Sequence, residues 1–86
     1  MQLDNATIKR LKGIGHELKP IVMIGNKGIT PTITEEIDRA LTDHELIKVK
    51  LPAGTKEERD IVGAELAKAA NASLVRSIGR MALLLR

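Results

Sequence analysis

The sequence predicts an α/β layered domain with the element order α-β-α-β-α-β-β. Three observations carry that expectation. Windows with apolar residues at helical spacing alternate with short apolar or alternating runs of strand type. Each helical window has its own start signal or stop signal. The final stretch holds two β-type runs either side of Gly79, so the chain ends in a hairpin. Three helices on one four-stranded mixed sheet satisfy this pattern.

The first helix spans residues 4–16. Ile8, Leu11, Gly15 and Leu18 recur at the helical period, and Lys9, Arg10, Lys12 and His16 fall mostly off that stripe. Asp4 or Asn5 serves as N-cap, and Pro20 forbids extension beyond it. The next run, Ile21–Ile24, reads as a buried strand, with Met23, like Met81 of the last run, in the core. Gly25-Asn26-Lys27-Gly28 follows as a G-x-x-G loop. Thr30-Pro31 then opens the second helix, since Thr is a favoured cap and proline suits the first helical position. Its buried stripe is Ile33, Ile37, Ala40 and Leu41.

Residues 45–51, ELIKVKL, alternate strictly and predict a half-exposed strand. Ile47, Val49 and Leu51 lie on one side and Leu46, Lys48 and Lys50 on the other. Thr55 with Glu58 three residues on forms a capping box for the third helix. Ile61, Val62, Leu66, Ala69 and Ala70 supply its apolar surface, and Asn71 its stop. Residues 73–78 and 80–86 are the last two strands. The nearly continuous apolar run MALLLR suits a central strand; Ala, Leu and Met also suit a short helix, but the preceding β-type run favours a hairpin. The units β-α-β are expected to cross over right-handed between parallel strands, with the last two strands antiparallel.

Composition narrows the function. Eighty-six residues make one domain, 1–86, which buries roughly 60–65% of its unfolded surface and leaves no room for a deep enclosed active site. With no cysteine and only His16 and His44, no metal site or cofactor is expected. No Ser-His-Asp pattern or Walker lysine spacing is present, so an enzyme is not expected. No apolar run is long enough to span a membrane, and the first residues lack an apolar signal core, which predicts a soluble, cytoplasmic protein; a monomer is expected. The chain contains no Phe, Tyr or Trp. Base stacking on aromatic side chains is therefore excluded, and any nucleic-acid binding must use charge, backbone amides and shape.

The charge is uneven. Residues 1–28 hold five Lys or Arg against two Asp or Glu, a net +3, whereas residues 29–86 hold nine of each. The excess sits beside the glycine loop and points to an anionic partner. Read by itself, the G-x-x-G loop fits a plain turn or a phosphate cradle equally. The strand–loop–helix setting would aim bare amides at one point, with Lys27 adding charge. Glu35, Glu36 and Asp38 near the start of the second helix oppose that attraction. His16 falls among the cations, although an exposed helix histidine is more often inert. His44 lies at a helix end, where it meets terminal carbonyls.

The stretch LKGIGHELKPIVMIGNKGIT, residues 11–30, followed by HELIKVKL, residues 44–51, resembles the CRM domain (chloroplast RNA splicing and ribosome maturation) in its bacterial stand-alone, YhbY-type form. The resemblance covers nearly the whole chain. It implies RNA binding without catalysis, with ribosomal RNA of large-subunit precursors as partner and a role in ribosome assembly. It also implies a fold like the C-terminal domain of translation initiation factor 3, with the last strand inside a mixed sheet. The family's RNA-binding loop carries over onto Gly25, Asn26, Lys27 and Gly28, and its basic helix onto Lys9, Arg10, Lys12, His16 and Lys19. A KH-like grip on the RNA backbone follows. Lys48, Lys50, Arg76 and Arg80 form a possible second basic surface, open or closed according to where the first helix packs. Some bacterial members continue into a basic tail beyond the position of Arg86, and its absence is expected to lower affinity for RNA. The alternative is a protein-docking adaptor on ribosomal particles without RNA affinity of its own.

Overall fold

The structure, a computed structural model, describes residues 3–86. Its elements follow the expected order: α1 (Asn5–Glu17), β1 (Pro20–Met23), α2 (Pro31–His44), β2 (Leu46–Lys50), α3 (Lys56–Ala69), β3 (Ser73–Ile78) and β4 (Met81–Leu85). The capping chemistry read from the sequence sets each helix start. Thr7 N–H donates to Asp4 Oδ1 at 2.7 Å, and Ile33 N–H donates to Thr30 Oγ1 at 3.2 Å. Thr55 and Glu58 exchange bonds at 3.1 Å in each direction, a complete capping box. These bonds favour the charged carboxylates, so Asp4 and Glu58 both titrate below their usual range. At the end of α3, Asn71 takes a left-handed φ of 53°, and Ala72 N–H and Asn71 N–H return to the carbonyls of Ala67 and Lys68. This is a Schellman closure, with asparagine in the place glycine usually takes.

The strands lie in the order β1-β2-β4-β3. β1 is parallel to β2, and β4 is antiparallel to both of its neighbours. The apolar C-terminal strand is thus internal, as expected, and α2 connects parallel neighbours. β4 lies between the two strands that α3 connects.

Strand alternation sorts side chains onto two faces. On one face Val22, Ile24, Ile47, Val49, Ala82 and Leu84 pack against Ile37 and Leu41 of α2 and Leu66, Ala67 and Ala70 of α3. On the other, α1 crosses β3 and β2. Gly15 of α1 is buried directly over Leu83, so closely that a Cβ at position 15 would lie 2.6 Å from Leu83 Cδ2.

Two expectations about the core are corrected. Ile21–Ile24 is not a uniformly buried strand: Val22 and Ile24 are buried, but Ile21 and Met23 are half or more exposed, Met23 at 66%. β1 is an edge strand, and α1 packs over β2 and β3, so one side of β1 is left open. Ile61 and Ala69 are also exposed. The stripe of α3 that meets the sheet runs through Val62, Gly63, Leu66, Ala67 and Ala70, which turns Ile61 and Ala69 outward.

Candidate nucleic-acid interface

The G-x-x-G loop is a tight turn held at both ends. Before it, buried Ile24 donates its N–H to the Lys50 carbonyl at 2.9 Å; after it, Ile29 packs against the core. The turn closes with Gly28 N–H on the Gly25 carbonyl at 3.0 Å. Only Gly28 uses the left-handed backbone, at φ 73°. Gly25 has no such need, and a Cβ there would meet nothing within 4 Å, so the space above it is open to an approaching molecule. Gly25, Asn26 and Lys27 are exposed. Among the described residues, the Asn26 and Lys27 amides make no hydrogen bond to protein.

The electrostatics of this loop differ from the sequence expectation in two respects. The first turn of α2 contains no acidic residue. Glu35, Glu36 and Asp38 begin one turn later, where the dipole effect has decayed, so their opposition to an anion at the loop is weaker than expected. The start of α2, however, offers few bare donors. Pro31 has no N–H, the Ile33 N–H is capped by Thr30, and Thr34 N–H is bonded to the Thr30 carbonyl at 2.9 Å. The donors on offer are those of the loop itself.

A groove of about 560 Å³ lies between α1 and the sheet. Lys9, Lys12, Gly13, Gly15 and His16 form its helix side, and Lys48, Arg76, Ile78, Met81 and Leu83 its sheet side. Ladder register explains the grouping. Lys48 lies opposite Leu83, and Leu83 opposite Arg76, in one row across β2, β4 and β3. The next row runs Met23, Lys50, Met81, Ile78. Four cationic side chains from three elements therefore converge on one concavity with no acidic residue in its lining. None of the four makes an ion pair with any described residue.

Lys9 and Lys12 of α1 thus share one surface with the strand cations Lys48 and Arg76. α1 packs on this face without closing it. The remaining candidates lie elsewhere. Arg10 is exposed on α1 outside the groove. Lys19 is on the other flank of the helix, beside Ile14, Leu18, Ile21 and His44. Lys50 lies one row beyond Lys48, nearer the glycine loop. Arg80 is partly committed to structure, since its Nε–H donates to the Leu51 carbonyl at 3.2 Å and its own carbonyl accepts from Leu51 N–H.

Eight of the eleven acidic residues belong to the two helices of the opposite face, while Asp4 and Glu17 stay with α1. Glu35, Glu36, Asp38 and Asp43 belong to α2, and Glu57, Glu58, Asp60 and Glu65 to α3. The zero net charge of residues 29–86 conceals this separation, which sequence counting missed. The strict alternation of ELIKVKL was the available signal for Lys48, and the sequence grouped it with Arg76 on the sheet, but nothing in the sequence joined that pair to Lys9 and Lys12 in one groove. Among the described residues, no helix is long and apolar enough to cross a membrane.

The molecule is a small α/β domain with one cation-lined sheet face. A model of the CRS1 / YhbY (CRM) domain matches residues 3–86. The chain belongs to that family. It is 43% identical over 86 residues to a Pseudomonas aeruginosa protein named "Probable RNA-binding protein", covering 100% of this chain and 83% of the relative. A Haemophilus influenzae protein named "RNA-binding protein" is 38% identical over 76 residues, which is 88% of this chain and 77% of that one. The solution structure of a Staphylococcus aureus hypothetical protein, described as "a putative RNA binding protein", superimposes with a TM-score of 0.87 at 29% identity. That match covers 99% of this chain and 88% of the other, so the two share the fold.

Proposed function

We propose that this chain, as one domain over 1–86, binds RNA through its backbone and performs no catalysis. The observation that carries this reading is the convergence of Lys9, Lys12, Lys48 and Arg76 on one groove, with no ion pair to any described residue and no acidic residue in the lining. The names of the relatives support it. Cations grouped in this way neutralise phosphates and release counterions. The Gly25–Gly28 loop, with its open Gly25 and the free amides of Asn26 and Lys27, adds a KH-like contact to the same strand. Arg10, His16, Lys19 and Lys50 extend the field around it. The partner we infer is ribosomal RNA of large-subunit precursors, met in the cytoplasm by a monomer that assists ribosome assembly.

The test is a salt titration. Three to five engaged phosphates give a log–log slope of roughly −2 to −4 on single-stranded RNA. Reversing Lys9 and Lys12 to Glu should lower affinity and flatten that slope. A slope near zero, or unchanged binding by the folded variant, would refute the reading. Crosslinking in cells tests the ribosomal assignment, which fails if the contacted nucleotides lie outside large-subunit RNA.

The exposed Ile14, Ile21 and Met23 favour a second reading, a docking adaptor on ribosomal particles. It predicts association with particles and none with naked RNA.

A further inference from the structure

The groove is more than a patch of charge. Its floor is Ile78, Met81 and Leu83, and its helix wall includes Gly13 and Gly15, which present backbone without side chains. Cations stand around this apolar floor. Ile78 is 59% exposed, although it is a large aliphatic residue at the end of a strand. Phosphate alone makes no use of an apolar floor. An apolar ring tethered to phosphates fits both parts, because the ring covers Ile78 and Met81 while the phosphates either side meet Lys9, Lys12, Lys48 and Arg76.

The glycine loop lies at the same end of the sheet. It follows Met23, which shares a ladder row with Lys50, Met81 and Ile78. At about 4.8 Å per strand, Met23 and Met81 are separated by roughly 10 Å. One RNA strand can therefore cross from the loop to the groove within a few nucleotides.

We infer that the groove between α1 and the sheet receives an unpaired nucleobase, so that the protein selects single-stranded over base-paired RNA. This rests on the RNA-binding reading and deepens it. A base in a duplex is stacked and its phosphates are held at the helix perimeter, so the floor would stay empty. The aliphatic floor offers no hydrogen-bonding group to a base edge, so selection is for an available base rather than for its identity. The chain achieves without aromatics what stacking platforms do with them, and the contribution falls at the lower end of their range.

The experiment compares a mixed-sequence RNA of about 12 nucleotides with an abasic oligomer of equal length and phosphate number, at fixed salt. The native chain should bind the base-containing strand roughly fivefold or more tightly, with similar salt slopes for both. Ile78→Ser, at an exposed position, should shrink that gap to less than about twofold. A duplex of the same sequence carries twice the phosphates, so its test is the variant: its affinity should not change with Ile78→Ser, and a loss as large as that of the single strand overturns the inference. Equal affinity for the two oligomers, or a gap unaltered by Ile78→Ser, overturns the inference while salt-sensitive backbone binding stands. Failure of every oligomer to bind at low salt overturns both readings.

Discussion

Replacing Gly15 by alanine should cost stability where replacing Gly13 adds it. Both glycines lie inside α1, and each Gly→Ala change gains about 0.5–1 kcal/mol of helix propensity. Their surroundings differ. A Cβ at Gly13 meets nothing within 4 Å, whereas one at Gly15 lies 2.6 and 2.7 Å from the two δ carbons of Leu83 and 3.2 Å from its Cγ. Ordinary carbon contacts are about 3.5–4.0 Å, so either Leu83 or the whole helix must move by close to 1 Å. Leu83 is only 6% exposed, and such overpacking costs about 1–3 kcal/mol. The expected outcome is a gain for Gly13→Ala and a net loss of up to about 2 kcal/mol for Gly15→Ala. Leu83→Ala removes the obstructing carbons, so in that background Gly15→Ala should recover its propensity gain. The cycle should show a coupling of about 1–3 kcal/mol. With no Trp or Tyr in the chain, urea unfolding is followed by far-ultraviolet circular dichroism. If Gly15→Ala stabilises the native background as much as Gly13→Ala, α1 is not seated on Leu83. The groove wall would then lie elsewhere.

Gly28→Asp should weaken RNA binding and also strain the fold, because its φ of 73° disfavours a side chain; Gly25→Asp should weaken binding alone. Unchanged affinity for Gly25→Asp, measured by anisotropy, would remove the loop from the interface. Arg86 bridges α2 and α3 through four hydrogen bonds, to Asp38 Oδ1 and the Asp38 carbonyl, the Ala70 carbonyl and Thr42 Oγ1. Arg86→Ala should cost about 1 kcal/mol, modest because Asp38 is mostly exposed, and an unshifted urea midpoint would contradict the bridge. Asp4 and Glu58 have folded pKa values below their unfolded ones, so the unfolded chain binds more protons in the acid range. Their stabilisation is present above the unfolded carboxylate pKa and is lost as pH falls through the folded one. Asp4→Asn keeps a cap but should flatten the acid limb of the stability–pH curve; an unaltered limb would argue against the Asp4–Thr7 bond.

Much of the fold was legible because its signals are local. Thr30-Pro31 and the Thr55–Glu58 box act within one turn of chain, so they mark helix starts whatever surrounds them. The alternation in ELIKVKL correctly separated Ile47, Val49 and Leu51 from Lys48 and Lys50. Errors arose where burial depended on a distant element. Met23 is as apolar as Met81, yet it is exposed because β1 is an edge and α1 docks on the neighbouring strands. Ile61 is exposed because its place around α3 faces away from the sheet.

The same division holds for the candidate site. Sequence alone determined the glycine loop, the basic first helix, the absence of aromatic stacking and the strand alternation that turns two lysines away from the core. Only the tertiary structure brought Lys48 and Arg76, separated by 28 positions, to the flank of Lys9 and Lys12 around one apolar floor. It also put the acids of α2 and α3 on the far side of the sheet. The physical reason is that charge along a chain is a sum, whereas charge on a surface depends on which face each strand and helix presents. That is set by sheet order and by the one point, Gly15 over Leu83, where α1 comes to rest.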